Sequence, residues 1–208
     1  MGKIYCIMGK SSSGKDSIYQ RILERGELPL KRIVPYTTRP LREGETPGKE
    51  YIFCDEKQVE KLQEEGRIVE LRSYQTVHGE WKYFTVDDGQ LDLEHQSYLY
   101  IVTLEGFTKM KSYFGKGKVV PIYVYVEDGE RLLRGIERER QQAVPRYEEM
   151  CRRFLADSID FSEENCLAAG IERRFENRDL EDTIQRITAF IQADLVEGER
   201  TDHGYENQ

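Results

Sequence analysis

At 208 residues the chain has room for one domain of ordinary size carrying one or two inserts, with a core that needs neither disulfides nor a structural metal. Its formal net charge of −8 excludes a general binder of polymeric nucleic acid or of membrane surfaces, while 38% apolar and 11% aromatic residues fit a folded, well-solvated protein. No stretch reaches the roughly 18 apolar residues of a membrane span and the first residues carry no signal-peptide core, so a cytoplasmic location is expected. The four cysteines (Cys6, Cys54, Cys151, Cys166) form no CxxC pair, and His78, His95 and His203 stand far apart. That spacing supports neither a zinc site nor a Cys/His nucleophile.

Residues 3–8 (KIYCIM) are a short apolar run ending in glycine, which predicts a buried parallel strand. A helix is predicted over 16–24, with Ile18, Ile22 and Leu23 on one face and Gly26 as its stop. From residue 33 to about 92 prolines, glycines and alternating charge predict short strands and turns, with a polar helix at 55–65 and strands at 67–74 and 81–86. This block, 34–95, reads as an insert outside the parallel core. The core resumes with a strand at 97–104, a helix at 105–114 and a strand at 118–126, rich in β-branched and aromatic residues. An arginine-rich stretch follows, broken by Pro145, then a helix at 147–162, a short strand at 170–175 and a helix at 180–195. Residues 196–208 are polar and expected to be disordered. Alternating strands and helices give an α/β fold: a three-layer core with a central parallel sheet (1–33 and 96–195), a small mixed α/β insert, and a helical lid at about 134–153.

Residues 9–15 satisfy G-x-x-x-x-G-K, directly behind the first strand and before the first helix. In a P-loop of this kind Gly9 and Gly14 let the backbone N–H groups of Ser11, Ser12 and Ser13 turn toward phosphate, the helix adds its positive N-terminus, and Lys15 supplies a mobile charge. A nucleotide-phosphate enzyme is therefore expected. Asp16 follows Lys15 where Ser or Thr is usual, which moves the hydroxyl ligand for magnesium to Ser17. Asp16 either joins Ser17 at the metal or simply carries negative charge near a helix N-terminus.

The segment 37–53, TTRPLREGETPGKEYIF, resembles the acceptor-binding segment of guanylate kinases, whose pattern is TTRxxRxGExxGxDYxF; Glu50 stands for Asp. With the P-loop and later segments the resemblance spans about residues 3–195. It implies an ATP- and Mg2+-dependent nucleoside monophosphate kinase that converts ATP and GMP to ADP and GDP, as a monomer or homodimer. Arg39 and Arg42, three apart and stiffened by Pro40, suit a single phosphate gripped by several charge-assisted hydrogen bonds, with Tyr51 as a neutral donor. By resemblance Glu70 recognises guanine, and its chemistry agrees, since one carboxylate accepts both the N1–H and the 2-amino group. Tyr83 falls on the family's acceptor-phosphate position and Thr85 on a base-contacting one. Arg138 or Arg140 corresponds to the first lid arginine and Arg153 to the second, with Asp160 in the acidic position after them; such arginines act catalytically on the transferring phosphoryl group. Asn177 matches the adenine-side loop.

The chain also departs from the pattern. Phe84 replaces a glycine, extra residues lie around His78, and Pro35 stands in place of a base-contacting serine. The family's LDxDxQG becomes Ile101 to Gly106 without either aspartate, leaving Glu105 to substitute or the chemistry to be organised differently. Two other functions fit parts of this pattern. The Gly14-Lys15-Asp16-Ser17 ending resembles ribose 1,5-bisphosphate phosphokinases, which would make the acceptor a sugar phosphate. Guanylate kinase-like modules of scaffold proteins bind peptides without catalysis, although they typically degrade the P-loop that is intact here.

Overall fold

A computed structural model of the chain describes residues 1–76 and 79–203. The chain opens with β1 (Ile4–Met8), every residue of which is buried. Its alternation sends Ile4, Cys6 and Met8 to one face of a sheet and Tyr5 and Ile7 to the other, and each set joins a separate apolar cluster. The P-loop follows, then α1 (Lys15–Arg25), which ends on Gly26 in the left-handed region at φ 60°. A three-residue strand, β2 (Leu30–Arg32), returns the chain to the sheet.

The insert begins with β3 (Tyr36–Thr37) and β4 (Ile52–Phe53). Helix α2 (Glu56–Glu64) is capped by Asp55, which accepts from Gln58 N while the Gln58 side chain bonds back. Strands β5 (Ile68–Thr76) and β6 (Gly79–Val86) form a long antiparallel pair. The second sheet runs β4-β3-β6-β5 and packs Val59, Phe84 and Val86 into its own small core. The extra residues expected to lengthen this hairpin include His78, which lies outside the described residues.

The core then continues through β7 (Ser97–Ile101), α3 (Leu104–Phe114), β8 (Val119–Tyr125), α4 (Asp128–Arg140), α5 (Tyr147–Asp160), α6 (Glu163–Ala169), β9 (Arg174–Glu176) and α7 (Leu180–His203). Its five parallel strands run β2-β7-β1-β8-β9, with α1 and α7 packed on one face and α3 and α6 on the other. Consecutive core strands lie on both sides of β1, so a crevice opens beyond the carboxyl end of β1 where the P-loop sits. The α/β expectation therefore holds, with a central parallel sheet.

Three local expectations are corrected. Residues 170–175 do not start a strand, because Gly170 closes α6 in the left-handed region at φ 77° and β9 begins only at Arg174. The strand expected over 97–104 stops at Ile101, because Thr103 turns the chain and caps α3 by accepting from Gly106 N. Residues 196–203 are helical as the end of α7 rather than a disordered tail, and 204–208 lie outside the described residues. No helix among the described residues is long and apolar enough to cross a membrane.

Candidate active site

The P-loop is shaped by contacts that leave little choice of residue. A Cβ at Gly9 would lie 2.4 Å from Val124 O, and Gly14, at φ 85°, would place one 2.5 Å from Asn177 Nδ2. Ser12 itself is left-handed at φ 62°. Ile18 N–H is bonded to Gly14 O at 3.0 Å, so the N–H groups of the first turn before it point out of α1 as a positive end. Ser13 Oγ is buried with no hydrogen-bond partner, a costly arrangement that an arriving acceptor such as a phosphate oxygen relieves. These features fit the phosphates of ATP. Lys15 Nζ lies 3.1 Å from Asp16 Oδ2, whose carboxylate is largely exposed on the first turn of α1.

Side chains from α4, α5 and the turn after β9 brace this loop. Asn177 is buried and donates from Nδ2 to Ser13 O at 2.8 Å, so it fastens the loop. Arg131, only 1% exposed, donates to Ser11 O at 3.0 Å and to Asp128 Oδ1 at 2.8 and 3.0 Å, with its guanidinium stacked 4.5 Å from Phe154. Lys10 Nζ reaches the same Asp128 at 3.2 Å. Burial would raise the Asp128 carboxyl, but the hydrogen bonds from Arg131 and Lys10 outweigh it and hold the group below its ordinary range. Asp157 on α5 accepts from Ser11 N at 2.6 Å. Asp160, one turn on, is shifted up by burial and then by its neighbours Asp157 and Glu105.

On the acceptor side, buried Arg39 forms a two-pronged ion pair with Glu45, one prong at 2.7 Å from Nη1 to Oε2. Its guanidinium stacks 4.8 Å from the Tyr51 ring, which meets Tyr83 edge-on at 5.7 Å. The hydrogen bond from Arg39 holds the Glu45 carboxyl down to about 2. Arg42 is exposed and lies 6.0 Å over Trp81. Glu70 has a fully buried side chain; Arg72 Nε donates to its Oε2 at 3.0 Å and Thr85 Oγ1 to its Oε1 at 2.9 Å. Thr85 Oγ1 donates its one proton to Glu70, so the Tyr100 hydroxyl 2.8 Å away donates to Thr85. Thr85 thus supports Glu70 from within the core rather than facing open space.

A cavity of about 680 Å³ brings together Gly9, Ser11 and Lys15 from the P-loop, Arg72 and Tyr74 from β5, Thr103 and Glu105 at the start of α3, and Arg153 and Asp157 from α5, whereas Arg39, Arg42, Tyr51, Glu70, Tyr83 and Thr85 do not line it. Of the expected lid arginines, Arg153 lines this cavity. Arg138 lines a smaller recess with Ser12 and Gly135 and sits 3.6 Å from Glu139, while Arg140 ends α4 exposed and borders neither. Glu105 is exposed and paired with Lys109 at 2.6 Å, the usual habit of an acid in a first turn. Among the described residues no group of three or more His, Cys, Asp or Glu could hold a metal ion, and Asp16 and Ser17 are both exposed on α1.

The guanylate kinase family model matches residues 1–194, nearly the whole chain. The chain belongs to the guanylate kinase family. Two relatives named guanylate kinase, from Legionella pneumophila strains Lens and Paris, are 37% identical over 70 residues, and the chain spans about a third (32%) of the length of each and is itself matched over 33%. A guanylate kinase of Caldanaerobacter subterraneus subsp. tengcongensis is 26% identical over 96% of this chain and 91% of its own length. Among solved structures, the guanylate kinase of Anaplasma phagocytophilum superposes with a TM-score of 0.65 at 24% identity, covering 92% of this chain and 85% of that one, which supports the fold.

Arg131, Asp128, Asp157, Arg72 and Tyr100 were not legible as site residues in the sequence. Signals did exist for two of them. Arg131 lies one turn after Asp128, and Asp157 one turn after Arg153, so each pair shares a helical face.

Proposed function

We propose that this chain transfers the γ-phosphate of ATP to GMP, giving ADP and GDP. The observation that carries this reading is the shared cavity, where Lys15, β5 of the insert and Arg153 of the lid converge. The family supports an enzyme of this type. Phosphoryl transfer asks little covalent work of the protein; it requires alignment and charge stabilisation in a water-poor site. In this reading the amides at the start of α1, the Ser13 hydroxyl and Lys15 orient the donor phosphates, while the expected Ser11 amide is held by Asp157 and the Ser13 amide by Lys10 O. Arg39, Arg42, Tyr51 and Tyr83 hold the acceptor phosphate, and Glu70 selects the base. Arg153 and Arg138 act on the transferring group when the lid closes; Arg140 joins them only if α4 and the 141–146 loop move. Bound magnesium would supply further neutralisation of the phosphate oxygens, with Ser17 and Asp16 as its protein ligands.

A coupled ADP-release assay with ATP and magnesium, offering GMP, AMP, UMP or ribose 1,5-bisphosphate, tests the reading. Turnover with GMP alone is expected. Turnover with the sugar bisphosphate instead would reassign the acceptor, and ATP binding with no turnover on any acceptor would point to a binding module.

A further inference from the structure

Arg72 and Glu70 occupy the same face of β5, two residues apart, yet they meet the cavity differently. The Glu70 side chain is fully buried, whereas Arg72 lies across it, partly exposed, and lines the cavity. An acceptor entering from the cavity therefore meets a guanidinium fork with a carboxylate beneath it.

The hydrogen-bond inventory limits what such a ligand can be. Glu70 Oε2 accepts from Arg72 Nε at 3.0 Å, and Oε1 accepts from Arg72 Nη2 at 3.3 Å and from Thr85 at 2.9 Å. A carboxylate has about four acceptor sites, so one remains, and the long Nη2 contact is the easiest to yield. Of the five guanidinium N–H groups, the three not directed at Glu70 can serve a ligand. Glu70 Oε2 lies beside Gly106 in the first turn of α3, where the absence of a side chain leaves the carboxylate its room. The matching ligand edge carries two donors beside a carbonyl oxygen. Guanine has that edge in its 2-amino group, N1–H and O6; adenine offers one amino donor, no N1–H and no carbonyl. A phosphate is a poorer match, since its charge would lie against the buried Glu70.

Resting on the GMP reading, we propose that Arg72 is a specificity-determining residue that donates to the guanine O6 while Glu70 accepts from N1–H and the 2-amino group. The test compares kcat/KM at pH 7 for GMP, 6-thio-GMP and IMP in the wild type, Arg72→Ala and Arg72→Lys. In 6-thio-GMP the C6 oxygen becomes sulfur, a weak acceptor, while both donors are kept; IMP keeps O6 and N1–H but lacks the 2-amino group. A hydrogen bond from a charged donor implies that the wild type prefers GMP over 6-thio-GMP by about ten- to hundredfold. Arg72→Ala should bring that ratio to within about twofold of unity and raise the KM for GMP, while the GMP-over-IMP preference, set by Glu70, persists. If GMP is turned over and the thio ratio is unchanged in Arg72→Ala, Arg72 only neutralises Glu70 and the proposal falls. No GMP turnover in the wild type would overturn the acceptor reading and this assignment with it. If Arg72→Ala no longer binds ATP, and so has not folded, Arg72→Lys decides. It keeps the charge over Glu70 but loses the fork, so a reduced thio ratio supports the assignment and a full one refutes it.

Discussion

Arg131→Met removes a buried cation that ties the lid helix to the P-loop. The replacement keeps an unbranched stem over Phe154 but takes away two hydrogen bonds to Asp128 and one to Ser11 O. Breaking a buried ion pair from one side costs about 3–5 kcal/mol, because the partner stays behind uncompensated. Asp128 is 47% exposed and retains Lys10, so water and that amine recover part of the loss; the lower end, about 3 kcal/mol, is expected. For a chain of this length that corresponds to a fall in Tm of about 6–12 °C, measurable by calorimetry. Asp157 Oδ2, 3.7 Å from Arg131 Nη1, also loses its nearest cation while still accepting from Ser11 N, so ATP affinity should weaken as well. A Tm within about 2 °C of wild type with unchanged ATP affinity would refute the idea that Arg131 braces the loop.

Ser13→Ala removes a buried hydroxyl without a partner, so it should leave Tm unchanged or slightly raised while weakening ATP binding by about three- to tenfold in a titration. A clear loss of Tm would show that the hydroxyl is satisfied within the protein. Gly14→Ala forces a side chain into a left-handed position 2.5 Å from Asn177 Nδ2, and should cost about 1–3 kcal/mol in urea unfolding as well as nucleotide affinity. Glu45 is ordinarily a carboxyl of pKa 4.5 and is held down to about 2 in the fold, so its stabilising contribution is complete above pH 4.5 and is lost as pH falls toward 2. Glu45→Gln should therefore flatten the decline of Tm across that window, and an unchanged acid slope would count against the Arg39–Glu45 pair.

What could be read from the sequence follows from how locally each feature is encoded. The strand at β1, the glycine-bounded loop and the Asp55 cap each declare themselves within a few residues, because apolar runs, glycine turns and capping boxes depend on near neighbours. Strand β2 went unseen because it has only three residues, two of them exposed, and gains its register from pairing with β7 far along the chain. Helix α6 is seven residues long, too short for a visible period, although Ser162 capping Asn165 N marks its start. The tail misleads in the opposite way. Its polar composition resembles a disordered segment, but it extends a helix already anchored through Ile184, Ile187 and Ile191. The site divides along the same line. Arg39 and Arg42 share one segment, whereas the links from Ser11 to Arg131 and Asp157, and from Thr85 to Tyr100, join elements that only the folded sheet brings together.

Three cations of the candidate site already have carboxylate partners. Arg39 is held by Glu45, Lys15 lies beside Asp16, and Arg72 lies over Glu70. In a chain with a net charge of −8 these pairs lower the local attraction for an anionic substrate, which is a cost in association rate. They also fix the Arg39 and Arg72 guanidiniums, whose fork suits two oxygens of a phosphate as it suits a carboxylate, while a base carbonyl accepts from one of its N–H groups. A substrate then exchanges one hydrogen-bonded partner for another instead of ordering a free side chain, and the rotamer entropy has already been lost in folding. The pairs differ in how readily they exchange. Glu45 is partly exposed and can turn to water when phosphate arrives at Arg39, whereas Glu70 has no solvent to turn to. Its partner must therefore stay close. In the proposed GMP reading, that difference suits the Arg39 end of the insert to phosphate exchange and the Glu70–Arg72 end to a neutral, hydrogen-bonding edge such as a base.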